Sequence, residues 1–180
     1  MAPLRFSSTH HGAAMTILRM GHPLLNCRSE EVLDFNSPDL DGIVEQLLEY
    51  RDRFEGAGLA APQLGIAKRI ICFGGKTKRY PEAGASPVRI LINPIIEPLS
   101  DEIESGWEGC LSVPGLRGLV DRFEYIRYTG FDVAGNQISA EASGFEARVL
   151  QHEVDHLDGI LFPKRIKDFA HFGFEEELVI

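Results

Sequence analysis

Residues 151–159 read QHEVDHLDG, and this stretch restricts the possible folds more than any other part of the chain. His152 and His156 are four residues apart, so an α-helix places both imidazoles on one face, one turn from each other. Two histidines do not hold a catalytic metal firmly, because such sites usually have three protein ligands and one open position. The fold must therefore bring a third ligand from another segment to this helix.

The chain before this motif predicts one further helix and a series of short strands. The first helix follows Ser37, which can cap it, with Pro38 at its first position and Gly56 at its exit. Strands grouped between two helices predict an α+β fold, a single domain whose mixed or antiparallel sheets pack around a central helix with the metal motif. The strand-like runs, separated by turn signals, are residues 69–73, 88–92, 95–99, 120–128 and 137–140.

Two local signals mark the ends of the second helix, which contains the histidine pair. Ser143 followed three residues later by Glu146 is typical of a capping box at the start of a helix. Gly159 is typical of a helix stop. We therefore expect the metal motif to occupy a helix between these two signals.

Length, charge and cysteine content exclude several classes of protein. A chain of 180 residues, 44% of them hydrophobic, suits one domain with a real core. No run approaches the roughly 18 apolar residues of a membrane span. The formal net charge of −9 argues against nucleic-acid binding. Three widely spaced cysteines make a poor disulfide framework, so a reducing compartment such as the cytoplasm is expected.

The first 14 residues are expected to form a flexible extension in front of a folded domain at residues 15–180. Two interpretations of the extension stay open. It is either a leader, which would place the protein in an organellar matrix, or an extended start before Met15. Only two arginines occur in the first 20 residues, which favours the extended start.

The third metal ligand has candidates on both sides of the motif. The metzincin pattern requires a histidine where Phe162 stands, and a phenylalanine cannot bind a metal. Glutamates 175–177 are distant candidates, as in a zinc peptidase, although an acidic tail is their commoner explanation. Cys110 lies upstream in WEGCLSVPGLRG, where glycine and proline favour a loop or strand edge. A Cys-His-His set would leave one position for water.

Glu153 directly follows the first histidine and lies about 100° around the helix from it. It can reach a metal-bound water without being a ligand, which is the place of the general base in metalloproteases. Two rival interpretations remain open. One is a zinc peptidase of the HExxH type with a distant glutamate ligand, and the other is a closed structural metal site with Asp155 or His171 as fourth ligand.

Residues 56–65, GAGLAAPQLG, formally match the dinucleotide-binding pattern G-x-G-x-x-A. That interpretation fails because the segment follows a helix instead of a strand, and Pro62 would lie in the first turn of the expected helix. Two interpretations remain: a tight loop at the helix exit, or a loop whose backbone approaches a ligand. In the second, Gln63 would supply an amide donor.

Three segments, in this order, resemble the peptide deformylase family: GAGLAAPQ (56–63), EGCLS (108–112) and QHEVDH (151–156). The resemblance extends from about Thr16 to Phe162. It implies a metal-dependent hydrolase that removes the N-formyl group from the N-terminal formyl-methionine of newly made polypeptides and releases formate. It also implies one divalent metal ion, ferrous iron with zinc, nickel or cobalt as substitutes, bound by Cys110, His152 and His156.

The resemblance further implies roles for other residues. Glu153 would transfer protons, while Gln63 and the backbone N–H of Leu111 would stabilise the oxyanion. The expected support for the ligands is that Glu108 holds a histidine and Asp155 pairs with Arg122. Phe145 and Val149 lie on the helix face of His152, and Ala57, Gly58 and Arg117 match substrate-binding positions relative to the family motifs. These five are the expected substrate-binding residues.

The chain departs from the family pattern at two places. Arg148 falls where members often carry an apolar residue, so it is expected to point outwards or to contact the peptide. The C-terminus, FGFEEELVI, replaces the basic helix with which some members dock on the ribosome. Nascent formyl-methionyl polypeptides are therefore better supported as partners than the ribosome, and neither nucleic acid nor a membrane is expected.

Overall fold

The computed structural model describes residues 16–75 and 86–179, so the predicted extension at residues 1–14 lies outside the described residues. Its α-helices within these ranges are α1, Pro38–Arg53, and α2, Gly144–Leu157. The strands within these ranges are β1 Gly58–Ala60, β2 Ile70–Phe73, β3 Arg89–Pro98, β4 Ile103–Cys110, β5 Val113–Phe123, β6 Tyr125–Phe131, β7 Gln137–Ser143 and β8 Phe172–Phe174. Searching the described residues for a helix that could cross a membrane finds none.

The strands form two antiparallel sheets. One sheet has five strands in the order β1-β2-β3-β6-β7, and the other has three in the order β4-β5-β8. Helix α2 contacts every strand of the first sheet and β5 of the second. The predicted α+β single domain is therefore confirmed, and α2, which contains residues 151–156, lies between the sheets.

Helix α2 is buried on its polar side as well as its apolar side. Its apolar side, with Ala147 and Leu150 fully buried, packs on Ile71, Leu91 and Tyr128 of the five-stranded sheet. Its opposite side faces β5 and, through Arg148 and His152, reaches β4, although a helix with charged residues on one side usually turns that side to water. Ionisable side chains buried there need partners inside the protein.

The predicted capping box at the start of α2 is wrong. The hydroxyl of Ser143 makes no capping hydrogen bond, because Ser143 is also the last residue of β7, where it lies opposite Tyr125. The carboxylate of Glu146 instead accepts a hydrogen bond from Arg89 at 2.9 Å. The predicted stop is confirmed, since α2 ends at its C-cap Asp158 and Gly159 follows in the left-handed region with φ 72°.

Some predicted strand boundaries are also wrong. The runs at 88–92 and 95–99 are a single strand, β3, with an irregularity where Asn93 has φ 50° and its side chain bonds to the main chain of Val32. The run at 120–128 is two strands, divided at Glu124. Strand β4 and the first half of β5 were missed because their glycines and Pro114 are typical of loops.

Gly159 generates a prediction for stability. A Cβ atom there would lie 2.6 Å from the carbonyl carbon of Asn26, and the backbone conformation is unfavourable for any side chain. We expect Gly159→Ala to lower the free energy of unfolding by about 1–3 kcal/mol. Gly42→Ala, in α1 with open space around the new atom, is expected to raise it by up to about 1 kcal/mol.

Urea unfolding of the two variants and the unchanged protein measures both effects. Opposite signs are expected, and an unchanged midpoint for Gly159→Ala would contradict the close approach of Gly159 to Asn26.

Candidate metal centre

Three side chains with metal-binding atoms meet beside the polar face of α2. Cys110, His152 and His156 each offer one ligand atom, and these atoms all lie within 4.8 Å of one another. The Sγ atom of Cys110 is 3.3 Å from Nε2 of His156. An ion bound tetrahedrally at 2.0–2.3 Å would separate its ligand atoms by about 3.5 Å. The donor types and their spacing therefore fit one divalent metal ion.

The end of β4 determines where the thiol lies. Cys110 is the last residue of β4, and the pairing of β4 with β5 is irregular there, since Gly109 lies opposite Arg117 but Cys110 lies opposite Val113. The backbone N–H of Ser112 lies 3.4 Å from Cys110 Sγ, and Nε2 of Gln63 lies 3.5 Å from it. These two N–H groups point at the sulfur and fix its position beside the histidines.

Glu108 connects the first histidine to the sheet. Its Oε2 lies 2.8 Å from Nδ1 of His152, which leaves Nε2 of that ring for a metal ion. Arg122 donates to both oxygens of Glu108, at 2.8 and 3.0 Å. Burial raises the pKa of Glu108, but the hydrogen bonds from His152 and Arg122 outweigh this and hold the pKa well below its ordinary value. Glu108 is therefore a carboxylate.

The predicted pairing of Asp155 with Arg122 is present, at 2.7 Å. The other oxygen of Asp155 lies 2.6 Å from Arg165, so both carboxylate oxygens are engaged by arginines. His171 is about half exposed and its ring faces Trp107. Neither proposed fourth ligand of a closed structural site therefore joins the three described above.

Glu153 is buried beside these ligands. Only 4% of the residue is exposed, and its Oε2 finds no hydrogen-bond partner among the described residues. Burial raises its pKa to about 7. The carboxylate packs on Gly58, where an added Cβ atom would lie 2.5 Å from Oε1 of Glu153. A carboxyl group with this pKa can both accept and release a proton near neutral pH.

The segment with Gln63 is a strand and a short helix, so its interpretation as a loop is wrong. Gly58–Ala60 forms β1, an edge of the five-stranded sheet, and Ala61–Leu64 forms a 3-10 helix. The backbone N–H of Ala60 donates to Oε1 of Gln63 at 2.9 Å. This contact fixes the amide so that its NH₂ group faces the hydroxyl of Ser112 at 3.1 Å and the thiol of Cys110.

The candidate centre opens into a cleft of about 520 Å³, a volume that includes its mouth. Four of the predicted substrate-binding residues line it: Ala57, Gly58, Phe145 and Val149. Leu111 and Glu153 line it as well. Sequence reasoning missed Trp107, whose only available signal was its position directly before the EGC motif.

Arg117, the fifth predicted substrate-binding residue, does not line this cleft. Its side chain is buried and forms an ion pair with Glu175 at 2.8 Å. The acidic C-terminus is therefore not a frayed tail, because the chain returns as β8 to pair with β5 and brings Glu175 to Arg117. The same contact engages Glu175, one of the three distant candidates for a metal ligand, and none of the three joins Cys110, His152 and His156.

Of the two expectations for Arg148, the outward orientation is wrong, whereas contact with a peptide stays a prediction, since Arg148 lines the cleft. Its guanidinium points inwards and donates to the backbone carbonyls of Glu104 and Val120, each at 2.7 Å. The charge can be buried because these carbonyls of β4 and β5 lie directly opposite Arg148 and accept its hydrogen bonds.

A thiol and two imidazoles around one point, with a buried carboxyl group beside an open cleft, define a mononuclear metal-dependent hydrolase. Residues 14–171 match the family model described as polypeptide deformylase. The chain belongs to the polypeptide deformylase family.

Individual relatives agree with this assignment. The chain is 52% identical over 163 residues to peptide deformylase 1 of Bordetella pertussis, covering 90% of this chain and 93% of that protein. A crystal structure of a class I type b peptide deformylase from Acinetobacter baumannii with bound Met-Ala-Ser is 35% identical, with a TM-score of 0.82 over 87% of this chain and 100% of that one. A peptide deformylase 1B structure from Arabidopsis thaliana is 32% identical, with a TM-score of 0.76 over 86% and 82%.

The activity predicted from the sequence, metal-dependent removal of an N-formyl group, is the activity of this family and agrees with these findings. Neither the zinc peptidase nor the closed structural metal site is favoured.

The candidate ligands generate a prediction for metal content. We expect the unchanged protein to retain one divalent metal ion per chain after dialysis, and Cys110→Ser to retain at least about tenfold less, because a neutral hydroxyl is a weaker ligand than a thiolate. Elemental analysis measures the content.

Cys27→Ser is the matched control, since that thiol is exposed and free. Equal metal retention by the Cys110 and Cys27 variants would rule out the thiolate as a ligand.

Proposed function

We propose that this chain removes the formyl group from nascent formyl-methionyl polypeptides at a centre held by Cys110, His152 and His156. The observation that carries the proposal is the buried carboxyl group of Glu153, which lies in the cleft directly beside these three residues. A proton-transfer group next to a metal centre is what hydrolysis of an amide requires, because water must lose a proton and the leaving amine must gain one.

The donor set also limits the metal. A thiolate with two imidazoles accepts ferrous iron, zinc, nickel or cobalt, and we propose one ferrous ion as the native metal on the family resemblance. When bound, such an ion lowers the pKa of a coordinated water towards about 7 and polarises the formyl oxygen.

Glu153 is assigned the proton transfers. Its carboxylate accepts a proton from the attacking water while the water oxygen bonds to the formyl carbon. The carbon–nitrogen bond then breaks, Glu153 gives the proton to the leaving amine, and formate departs. Packing against Gly58 keeps the carboxyl group at the cleft wall throughout.

Gln63 and Leu111 are assigned to the oxyanion. The amide of Gln63 is held by Ala60 with its NH₂ group on the side of Cys110, and Leu111 follows Cys110 directly at the same cleft. Donors fixed before the reaction do not need to reorient as charge develops on the formyl oxygen. One such donor typically contributes about 10²- to 10³-fold in rate.

The methionine side chain is assigned to the apolar wall formed by Phe145 and Val149, one turn apart on α2. Ala57 directly precedes β1, Gly58 begins it, and β1 has a neighbouring strand on one side only among the described residues. An extended peptide can add to such an edge by main-chain hydrogen bonds. The Met-Ala-Ser peptide in the related Acinetobacter baumannii structure supports a peptide in this cleft.

The cytoplasm is the proposed compartment, with an organellar matrix as the alternative if residues 1–14 are a leader and residues 15–180 the catalytic domain. The free thiols of Cys27, Cys72 and Cys110 support a reducing environment. Contact with the ribosome has less support, because residues 172–174 form a strand and residues 175–177 are acidic.

Turnover of a formyl-Met-Ala peptide tests the assignment. We expect anaerobically purified protein to release formate, and Glu153→Ala to lower kcat by about 10²- to 10⁴-fold while the metal content stays the same, because only the proton carrier is removed. Metal-stripped protein should be inactive and regain activity when ferrous iron is restored.

Glu146→Gln, on the same helix but paired with Arg89, serves as the control and should keep its activity. Formate release unchanged by Glu153→Ala would contradict the proton-transfer role. No release by folded, metal-loaded protein would contradict the activity itself.

A further inference from the structure

Arg148 lies one helical turn before His152 on α2, and only 7% of the residue is exposed. The mechanism proposed above assigns it no role. Burying a guanidinium costs free energy unless its N–H groups find acceptors, so the identity of those acceptors indicates what the side chain does.

The guanidinium of Arg148 bridges the polar face of α2 to both strands of the β4–β5 pair. Nη1 donates to the carbonyl of Val120 at 2.7 Å and to that of Gly106 at 3.3 Å, and Nη2 donates to the carbonyl of Glu104 at 2.7 Å. Gly106 and Val120 are directly paired across the two strands. The side chain of Arg148 therefore fixes the position of β4 and β5 along the axis of α2.

Arg148 also contacts two carboxylates. Nη2 lies 3.5 Å from Oε2 of Glu104, and the second carboxylate is the one that holds a metal ligand. Nη1 lies 3.2 Å from Oε1 of Glu108, whose Oε2 lies 2.8 Å from Nδ1 of His152. Arg122 contacts each oxygen of Glu108 once. An ionised carboxyl group offers about four acceptor positions, and these four contacts fill them.

We propose that Arg148 is a positioning residue for the metal centre, acting through Glu108 on the orientation of His152. The inference rests on the metal centre proposed above. Without Arg148, Oε1 of Glu108 keeps a single donor, and that donor, Arg122, is shared with Asp155. The carboxylate can then rotate, and the ring of His152 loses its fixed orientation towards the other ligands.

The lack of a side chain at Gly106, on the strand that faces Arg148, also supports a specific position for the guanidinium. A Cβ atom there would lie 2.7 Å from Cζ of Arg148, so the strand has no side chain where the guanidinium lies. Glycine within a strand is unfavourable unless something approaches its backbone closely. Arg148 is what approaches Gly106, and the two residues form one structural unit.

Cobalt-loaded protein provides the test, because the visible absorption of Co²⁺ reports the geometry of its ligands. We expect Arg148→Met, which keeps the length of the side chain, to transfer cobalt to a chelator roughly 10–100-fold faster than the unchanged protein and to show altered absorption bands. Arg148→Lys should recover part of the retention, because it restores a cation near Glu108.

Arg127→Met is the matched control, since Arg127 is more exposed and pairs with Glu97 and Glu141 at the surface. It should leave the release rate and the spectrum unchanged. Release from Arg148→Met at the rate of the unchanged protein, with the same spectrum, would overturn the inference while leaving the metal centre intact. Failure of the unchanged protein to bind cobalt would overturn the centre and the inference together.

Gly106→Ala keeps the inference testable if Arg148→Met does not fold. The new methyl group displaces the guanidinium without removing its charge, so faster cobalt release is expected again. Gly42→Ala, where an added methyl group meets nothing within 4 Å, is the control. Normal cobalt release from a folded Gly106→Ala protein would count against the inference.

A double-mutant cycle tests whether Arg148 acts through Glu108. If it does, adding Arg148→Met to Glu108→Gln accelerates cobalt release no further than Glu108→Gln does alone. Accelerations that multiply would show that Arg148 acts independently of Glu108, and would overturn the proposed route.

Discussion

The position of the site depends on the contact between the carboxylate of Glu108 and His152. This contact joins β4 to α2, two elements that are far apart in sequence. Glu108 lies on β4 of the three-stranded sheet and binds His152 on α2 at 2.8 Å. Removing one partner of such a buried charge typically lowers the stability of the fold by about 3–5 kcal/mol. The contacts of Glu108 with its partners are therefore strongly favoured in the folded protein. Cys110 is two residues further along β4. The contact that places Glu108 against α2 therefore also sets the distance from the thiol to the two histidines.

Local geometry explains what could be predicted from the sequence. A helix fixes the separation of His152 and His156 wherever it lies in the fold, and the capping preferences of Ser37 and Pro38 depend only on neighbouring backbone. The pairing of Asp155 with Arg122 was also predictable, since a buried carboxylate beside a metal site needs a cation. The first two inferences needed only residue types and short spacings, whereas the pairing of Asp155 with Arg122, 33 residues apart, rested on residue type alone.

Most features that could not be predicted are the orientations of long side chains whose partners are distant in the sequence. The orientation of Arg148 depends on carbonyls of β4 and β5, and that of Arg117 depends on Glu175, which lies 58 residues away. The strand β4 was missed because Gly106 is typical of a loop until it is known that Arg148 occupies the space beside it. The periodicity of polar residues along α2 would likewise have predicted that its polar face is exposed to solvent. In this protein that face is buried, and several of its ionisable side chains find partners on β4 and β5, as Arg148 does with backbone carbonyls and Asp155 with Arg122.

Strand β1 is only three residues long, and its brevity affects how the protein interacts with its substrates. A peptide added to so short an edge can form only a few main-chain hydrogen bonds, and such bonds do not distinguish one side chain from another. If a substrate binds as proposed, selection depends on the first residue, which would enter the cleft, while the rest of the chain would be held by few contacts and without regard to its sequence. Such an arrangement would suit a processing enzyme that acts once on many different proteins, because a product held by few hydrogen bonds can dissociate quickly.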